Sequence, residues 1–213
     1  MGGGRTKRMP RAERERQMLD AAVEVIARHG YTAASMDEIA ELAGVSKPLV
    51  YLYLNSKDDL FTACIRREAA ALTEAVRAAV RPSLPADRQL WDGVQAFFTY
   101  TTEHPDGWTV LHLQARTHGP RFAAEADAMR AETVAFVTRL IASAAAEAHG
   151  SRDLPDHEIA GLAAALVGAA ESLADRTNTT PTATQAATTL MNFAWSGLGN
   201  LMSGNRWTPP GGG

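Results

Sequence analysis

Between Ser46 and Asn55 the chain carries side chains suited to gripping an anionic polymer. Val50 and Leu54 form an i, i+4 apolar pair with Val45 beside it, which leaves Lys47, Pro48, Leu49, Tyr51 and Tyr53 facing elsewhere. A lysine ammonium and tyrosine hydroxyls can reach phosphate oxygens, and the free N–H groups of a helix N-terminus favour the same partners. A major groove admits a short helix of this kind. Lys47 is the only long donor at its start. Pro48 and Leu49 offer only apolar contact, for instance to a thymine methyl. Base readout by such a helix is therefore sparse, and duplex shape supplements it.

Other chemistries find no support. The six histidines are His29, His104, His112, His118, His149 and His157. His112 and His118 are not at the three- or four-residue spacing that puts two metal ligands on one helical face. The sequence has no His-Glu-x-x-His, no Gly-x-Ser-x-Gly and no phosphate loop. Gly197-Leu198-Gly199 follows no strand, so it is not a dinucleotide fingerprint. Cys64 lies on an amphipathic helix and reads as a packed thiol. No enzyme activity, cofactor or metal is expected.

The elements that must position the candidate groups are helices punctuated by Gly and Pro. A first helix runs from about Pro10 to His29, with Leu19, Ala22, Val23 and Ile26 as its apolar stripe, and Gly30 suits a left-handed stop. Ser35 with Glu38 three residues on has capping-box spacing, and Met36, Ile39, Ala40 and Ala43 give the next short helix one apolar face. Gly44 ends it. Ser46 is the next N-cap, and Pro48 sits in the first turn, where its missing N–H costs little. Ser56 can cap a long fourth helix from Lys57 to about Val80. Five more helices are expected near 87–103, 105–117, 120–148, 156–176 and 181–203. The fold class is thus all-α: an N-terminal three-helix helix-turn-helix domain over 10–57, then a C-terminal helical bundle over 58–207, about nine helices in total.

Composition agrees. The 213 residues are 46% hydrophobic, with too few Val, Ile and aromatic residues for an extensive sheet. The formal net charge of -3 rules out a polycation, yet residues 1–57 carry a balance of +2 and the remainder -5. The basic excess lies in Arg5, Lys7, Arg8, Arg11, Arg14 and Arg16, an arm that could add minor-groove or phosphate contacts. A single cysteine excludes an intramolecular disulfide, and the longest apolar stretch, Ile159 to Ala170, is far short of the roughly 20 residues of a membrane span. A cytoplasmic protein without membrane contact is expected.

The segment SMDEIAELAGVSKPLVYLYLNSK resembles the N-terminal domain of the tetracycline-repressor (TetR) family. The matching positions are Gly30-Tyr31, Ser35, Ile39-Ala40, Ala43-Gly44-Val45-Ser46, Tyr51, Tyr53 and Ser56-Lys57, with Val50 and Leu54 replacing the usual Leu and Phe by other apolar residues. The resemblance implies that Ser35, Ser46, Tyr51, Tyr53 and Lys57 contact the DNA backbone, and that Lys47, Pro48 and Leu49 face base edges. It also implies a homodimer on a palindromic operator in double-stranded DNA, acting as a repressor released by a small-molecule effector. The alternative is a helical scaffold protein whose helix-turn-helix is structural only.

In this family the C-terminal helices hold ligand and partner. An expected pocket lining is Trp91, Phe98, Trp108, His112, Phe136, Glu171 and Phe193, aromatic walls with a few polar groups. Glu171 follows an apolar stretch and, if buried, needs a partner. Gly161, Ala164, Ala165, Gly168 and Ala169 form a small-residue stripe. With Ala186, Ala187, Leu190, Phe193, Ala194 and Leu198 on the last helix, that stripe suggests a four-helix dimer interface.

Overall fold

The computed structural model describes residues 10–149, 155–175 and 182–202, and the regular structure among them is entirely helical. Nine helices follow one another. They are α1 Arg11–Ala33, α2 Met36–Leu42, α3 Lys47–Leu54, α4 Lys57–Ala79 and α5 Ala86–Glu103, then α6 over 105–117, α7 Pro120–His149, α8 Asp156–Ala174 and α9 Ala183–Met202. The arm residues Arg5, Lys7 and Arg8, and the side chains of His149 and Leu198, lie outside what is described.

Two compact units emerge. The first comprises 10–69 with 105–127, and the second begins at 70–104 and resumes at 128; α4 and α7 contribute to both. In the first unit the expected α1 stripe is buried, with Leu19, Ala22, Val23 and Ile26 all sealed from solvent. They share a core with Ile39, Val50, Leu54, Leu60, Phe61, Cys64 and Ile65. Burial pushes the Cys64 thiol up to about 12.

The caps follow the sequence reading in part. Ser35 accepts the Asp37 N–H at 3.2 Å and Ser56 accepts the Asp59 N–H at 3.0 Å. The capping box does not close, because the Glu38 carboxylate turns to His29 at 3.1 Å. Ser46 is extended ahead of α3 but makes no side-chain cap.

Gly30 is not a left-handed helix stop. Its φ of 79° with ψ of 156° is a region open essentially to glycine alone, and the chain resumes a helical turn as far as Ala33. The next residue, Tyr31, stacks on Phe61 at 4.6 Å and packs against Phe122 at 5.1 Å. Its hydroxyl donates to Asp58, and burial together with that bond raises its pKa to about 12. The Tyr31 N–H is taken by the side chain of Gln114 at 3.0 Å.

Gln114 stands on α6, which is not a uniform helix. Pro105–Thr109 passes into a π turn at Val110–Gln114 before Ala115–Thr117 closes it. The Gln114 amide lies buried beside Gly30 while Leu113 stays 54% exposed. At the other end of α6 the Glu68 carboxylate lies so close over Gly107 that any β-carbon there would overlap it. Glu68 also accepts from Arg67 at 2.6 Å, and Arg67 reaches Asp20 of α1 at 2.7 Å.

The second unit is a bundle in which α9 packs on α5 and α8 packs on both. Leu90, Val94, Phe98, Ile159, Ala163, Leu166 and Leu190 fill it. Ala186, Ala187, Leu190 and Ala194 are buried within the subunit. The expectation that they form a dimer surface is corrected: they are the face by which α9 joins its own bundle. Gly161 and Ala165 of α8 stay exposed, as does Phe193 of α9.

Replacing Gly30 by Ala is expected to destabilise the fold by about 1–3 kcal/mol, because alanine cannot hold that backbone conformation without strain. Urea unfolding checks this. Acid sensitivity has a local source as well. The Arg66 guanidinium at 2.5 Å holds the Glu125 carboxyl below its ordinary range. The contribution is therefore complete above the unfolded-state pKa and is lost as pH falls through the lower folded value. Glu125→Gln should lower stability modestly at neutral pH and converge with wild type at low pH, which flattens the acid side of the profile.

Candidate nucleic-acid interface

Helix α3 is eight residues long, too short to persist without its neighbours. Val50 and Leu54 are the anchors, 0% and 6% exposed. Their burial fixes the rotation of the helix, and that rotation decides what reaches solvent. Lys47, Pro48, Tyr51 and Leu52 are exposed, while Leu49 and Tyr53 lie at the margin. Leu52 is the most open large apolar residue on this helix, at 73%.

The polar groups are partly engaged. Lys47 donates from Nζ to Asp37 of α2 at 2.8 Å, and this hydrogen bond raises the ammonium pKa. The Tyr53 ring lies beneath the Arg11 guanidinium at 5.0 Å. Lys57 donates to the Thr32 carbonyl at 3.1 Å and sits 4.8 Å above the Tyr31 ring, and burial lowers its pKa. Ser35 spends its hydroxyl on the α2 cap. Lys47, Pro48 and Tyr51 thus share one exposed face, whereas Lys57 is tied to the end of α1.

Sequence reasoning missed Leu52 and Asp37 as neighbours of this surface, and named Arg11 only as part of the basic arm. Leu52 could have been found: with Val50 and Leu54 inward, residue 52 must point away from both. The Asp37 pairing joins two helices and has no sequence signal.

The seven residues expected to line a ligand pocket are distributed over both units. Trp108 and His112 stack at 4.7 Å on α6, in the first unit. In the second, Phe98 is fully buried, Trp91 is half-buried, and Phe136 is half-buried beside the Arg139 guanidinium at 5.8 Å. Glu171 receives Arg130 Nε at 3.1 Å on each carboxylate oxygen, the partner its burial requires. Phe193 is 69% exposed. A cavity of about 390 Å³ in this unit is lined by Ala75, Arg81, Asp92, Gln95, Thr99 and Tyr100 among others, and by none of the seven.

A short helix anchored on two apolar residues, set behind a second short helix across a glycine turn, defines a helix-turn-helix protein. The sequence matches the family described as bacterial regulatory proteins, tetR family, over residues 18–64. A second match, over residues 86–197, is to a tetracyclin repressor-like C-terminal domain. A transcriptional activator, FasR, from Mycolicibacterium smegmatis is 34% identical over 202 residues, covering 94% of this chain and 90% of that protein. The Bacillus subtilis fatty acid metabolism regulator protein is 32% identical over 74 residues, 35% of this chain and 38% of its own. A TetR-like regulator from Rhodococcus sp. RHA1 superposes with a TM-score of 0.77 at 37% identity, covering 90% of this chain and 99% of that one.

The chain belongs to the TetR family, and it is a DNA-binding transcriptional regulator of the helix-turn-helix type. Among the described residues no helix is long and apolar enough to cross a membrane.

Removing the Asp37 carboxylate should let the Lys47 ammonium titrate nearer its ordinary value. Asp37→Asn, followed by NMR titration of the lysine side chains, is expected to move one resonance to lower pKa. An unmoved profile would mean that the pair does not hold in solution.

Proposed function

We propose that the exposed face of α3 enters the major groove of an operator. In this reading Tyr51 and Tyr53 bond to phosphates, and Lys47, Pro48 and Leu49 lie along base edges. Ser35, Ser46 and Lys57 flank the same surface on the backbone side. The observation that carries the reading is the exposure of Lys47, Pro48 and Tyr51 on a helix whose opposite side is sealed by Val50 and Leu54. Arg11, stacked over Tyr53, adds a cation beside this face.

The division into a DNA-reading domain over 10–57 and an effector and dimerisation domain over 58–207 is part of the same proposal. Two copies associate through α8 and α9, where Gly161, Ala165, Phe193 and Trp195 remain open to solvent. A two-fold dimer presents two copies of α3 to one side of a duplex and selects a palindromic site. An effector bound in the second unit acts through α4, which both units share, by favouring one arrangement over another. A regulator of the same fold, FadR from Bacillus subtilis, was solved in complex with stearoyl-CoA, which makes a long-chain fatty acyl-CoA the first compound to test. The resemblance implies repression, and the 34%-identical relative is named an activator. Transcription in vitro from an operator-bearing promoter distinguishes the two.

Tyr51→Phe combined with Tyr53→Phe removes two hydroxyls and little packing. Operator affinity is expected to fall about tenfold or more, from the loss of bonds to charged acceptors. Binding by anisotropy across a salt series measures it. A scaffold protein with a structural helix-turn-helix would show no salt-dependent DNA binding to lose.

A further inference from the structure

We infer that α3 selects its operator chiefly by the methyl groups of thymine, with Leu52 as the probe. The inference rests on the proposed contact of α3 with the major groove and names what that contact reads. The exposed face of α3 consists of Lys47, Pro48, Tyr51 and Leu52. Of these, Lys47 is the only long donor, and its ammonium is already matched to the Asp37 carboxylate at 2.8 Å. Using it on a guanine edge means giving up or sharing that partner. Tyr51 is suited to a phosphate. What remains on the face is apolar: the ring of Pro48 and, one turn later, the side chain of Leu52, 73% exposed.

An A·T pair shows one apolar group in the major groove, the C5-methyl of thymine, and a G·C pair shows none. On the base edges, a leucine held open on a helix with a fixed rotation gains most by covering such a group. Its two methyls reach further than the proline ring, so Leu52 makes the larger contact. Leu52 also lies on the same continuous surface as Tyr51 and Lys47. The proposal therefore needs no second docking mode.

The prediction is read one atom group at a time. The full-length chain first enriches binding duplexes from random-sequence DNA. Each thymidine of the enriched site is then replaced singly by deoxyuridine, which removes only the methyl. Wild-type affinity is expected to fall about fourfold at one or two positions in each half-site, the worth of one buried methyl-sized group. Leu52→Ala, a change at an exposed position, should bind the thymine and uracil duplexes alike at one of those positions. Its salt dependence should match that of wild type, because no charge has changed.

The inference fails if wild type does not distinguish thymine from uracil at any position. It fails equally if Leu52→Ala keeps the full discrimination. Enrichment of no duplex at all would instead remove the underlying reading of α3, an outcome plainly different from binding that ignores methyl groups.

Discussion

The reading head depends on how the backbone turns at Gly30. A long helix must end there, release its chain at an angle, and deliver the next helix in register for the helix-turn-helix. The conformation is one that side chains exclude, and it leaves the N–H of Tyr31 without a helical partner. A buried donor of that kind costs about 1–3 kcal/mol if unmet. Gln114 meets it, and the Tyr31 ring is clamped by Phe61 and Phe122. Lys57 closes the joint from the other side through the Thr32 carbonyl. Every later element of the head, α2 and α3 included, takes its direction from this corner.

Much of the architecture was legible in the sequence because it is local. A periodic apolar stripe placed α1, Ser56 marked the start of α4, and glycines and prolines marked where helices could not continue. The α1 stripe and the Val50–Leu54 pair proved buried for the reason the spacing gave: residues three and four apart share a face. The π turn was invisible. A π turn carries no sequence signature, and Val110, Leu111, Gln114 and Ala115 are buried at the spacing that one face of an unbroken helix would also show. No local signal predicts the Gln114 bond, whose partners are 83 residues apart in sequence.

The site was legible to a similar extent. The family motif marked the recognition helix, and burial of its anchors selected which residues face out. Motif matching treated Lys57 and Tyr51 alike, yet Lys57 is folded onto the end of α1 and Tyr51 is open. In the bundle, composition could nominate aromatics but could not distinguish packing from lining, since both ask for the same side chains. Phe98 and Phe193 have the same chemistry, and one is sealed while the other stands in solvent. The small residues of α9 misled for a related reason: close helix approach is needed within a subunit as much as between subunits.

The chain returns to its first compact unit after leaving it. Residues 105–127 supply Gln114 and Phe122 to the corner around Tyr31, and α4 supplies Phe61. A fragment ending at Lys57 would leave all three behind, with an aromatic cluster unroofed and a backbone donor stranded. Grafting this reading head onto a foreign sensor therefore means transplanting two separate stretches of polypeptide and making the splice inside continuous helices. Rewriting individual residues on the surface of α3 is the simpler route to a new specificity.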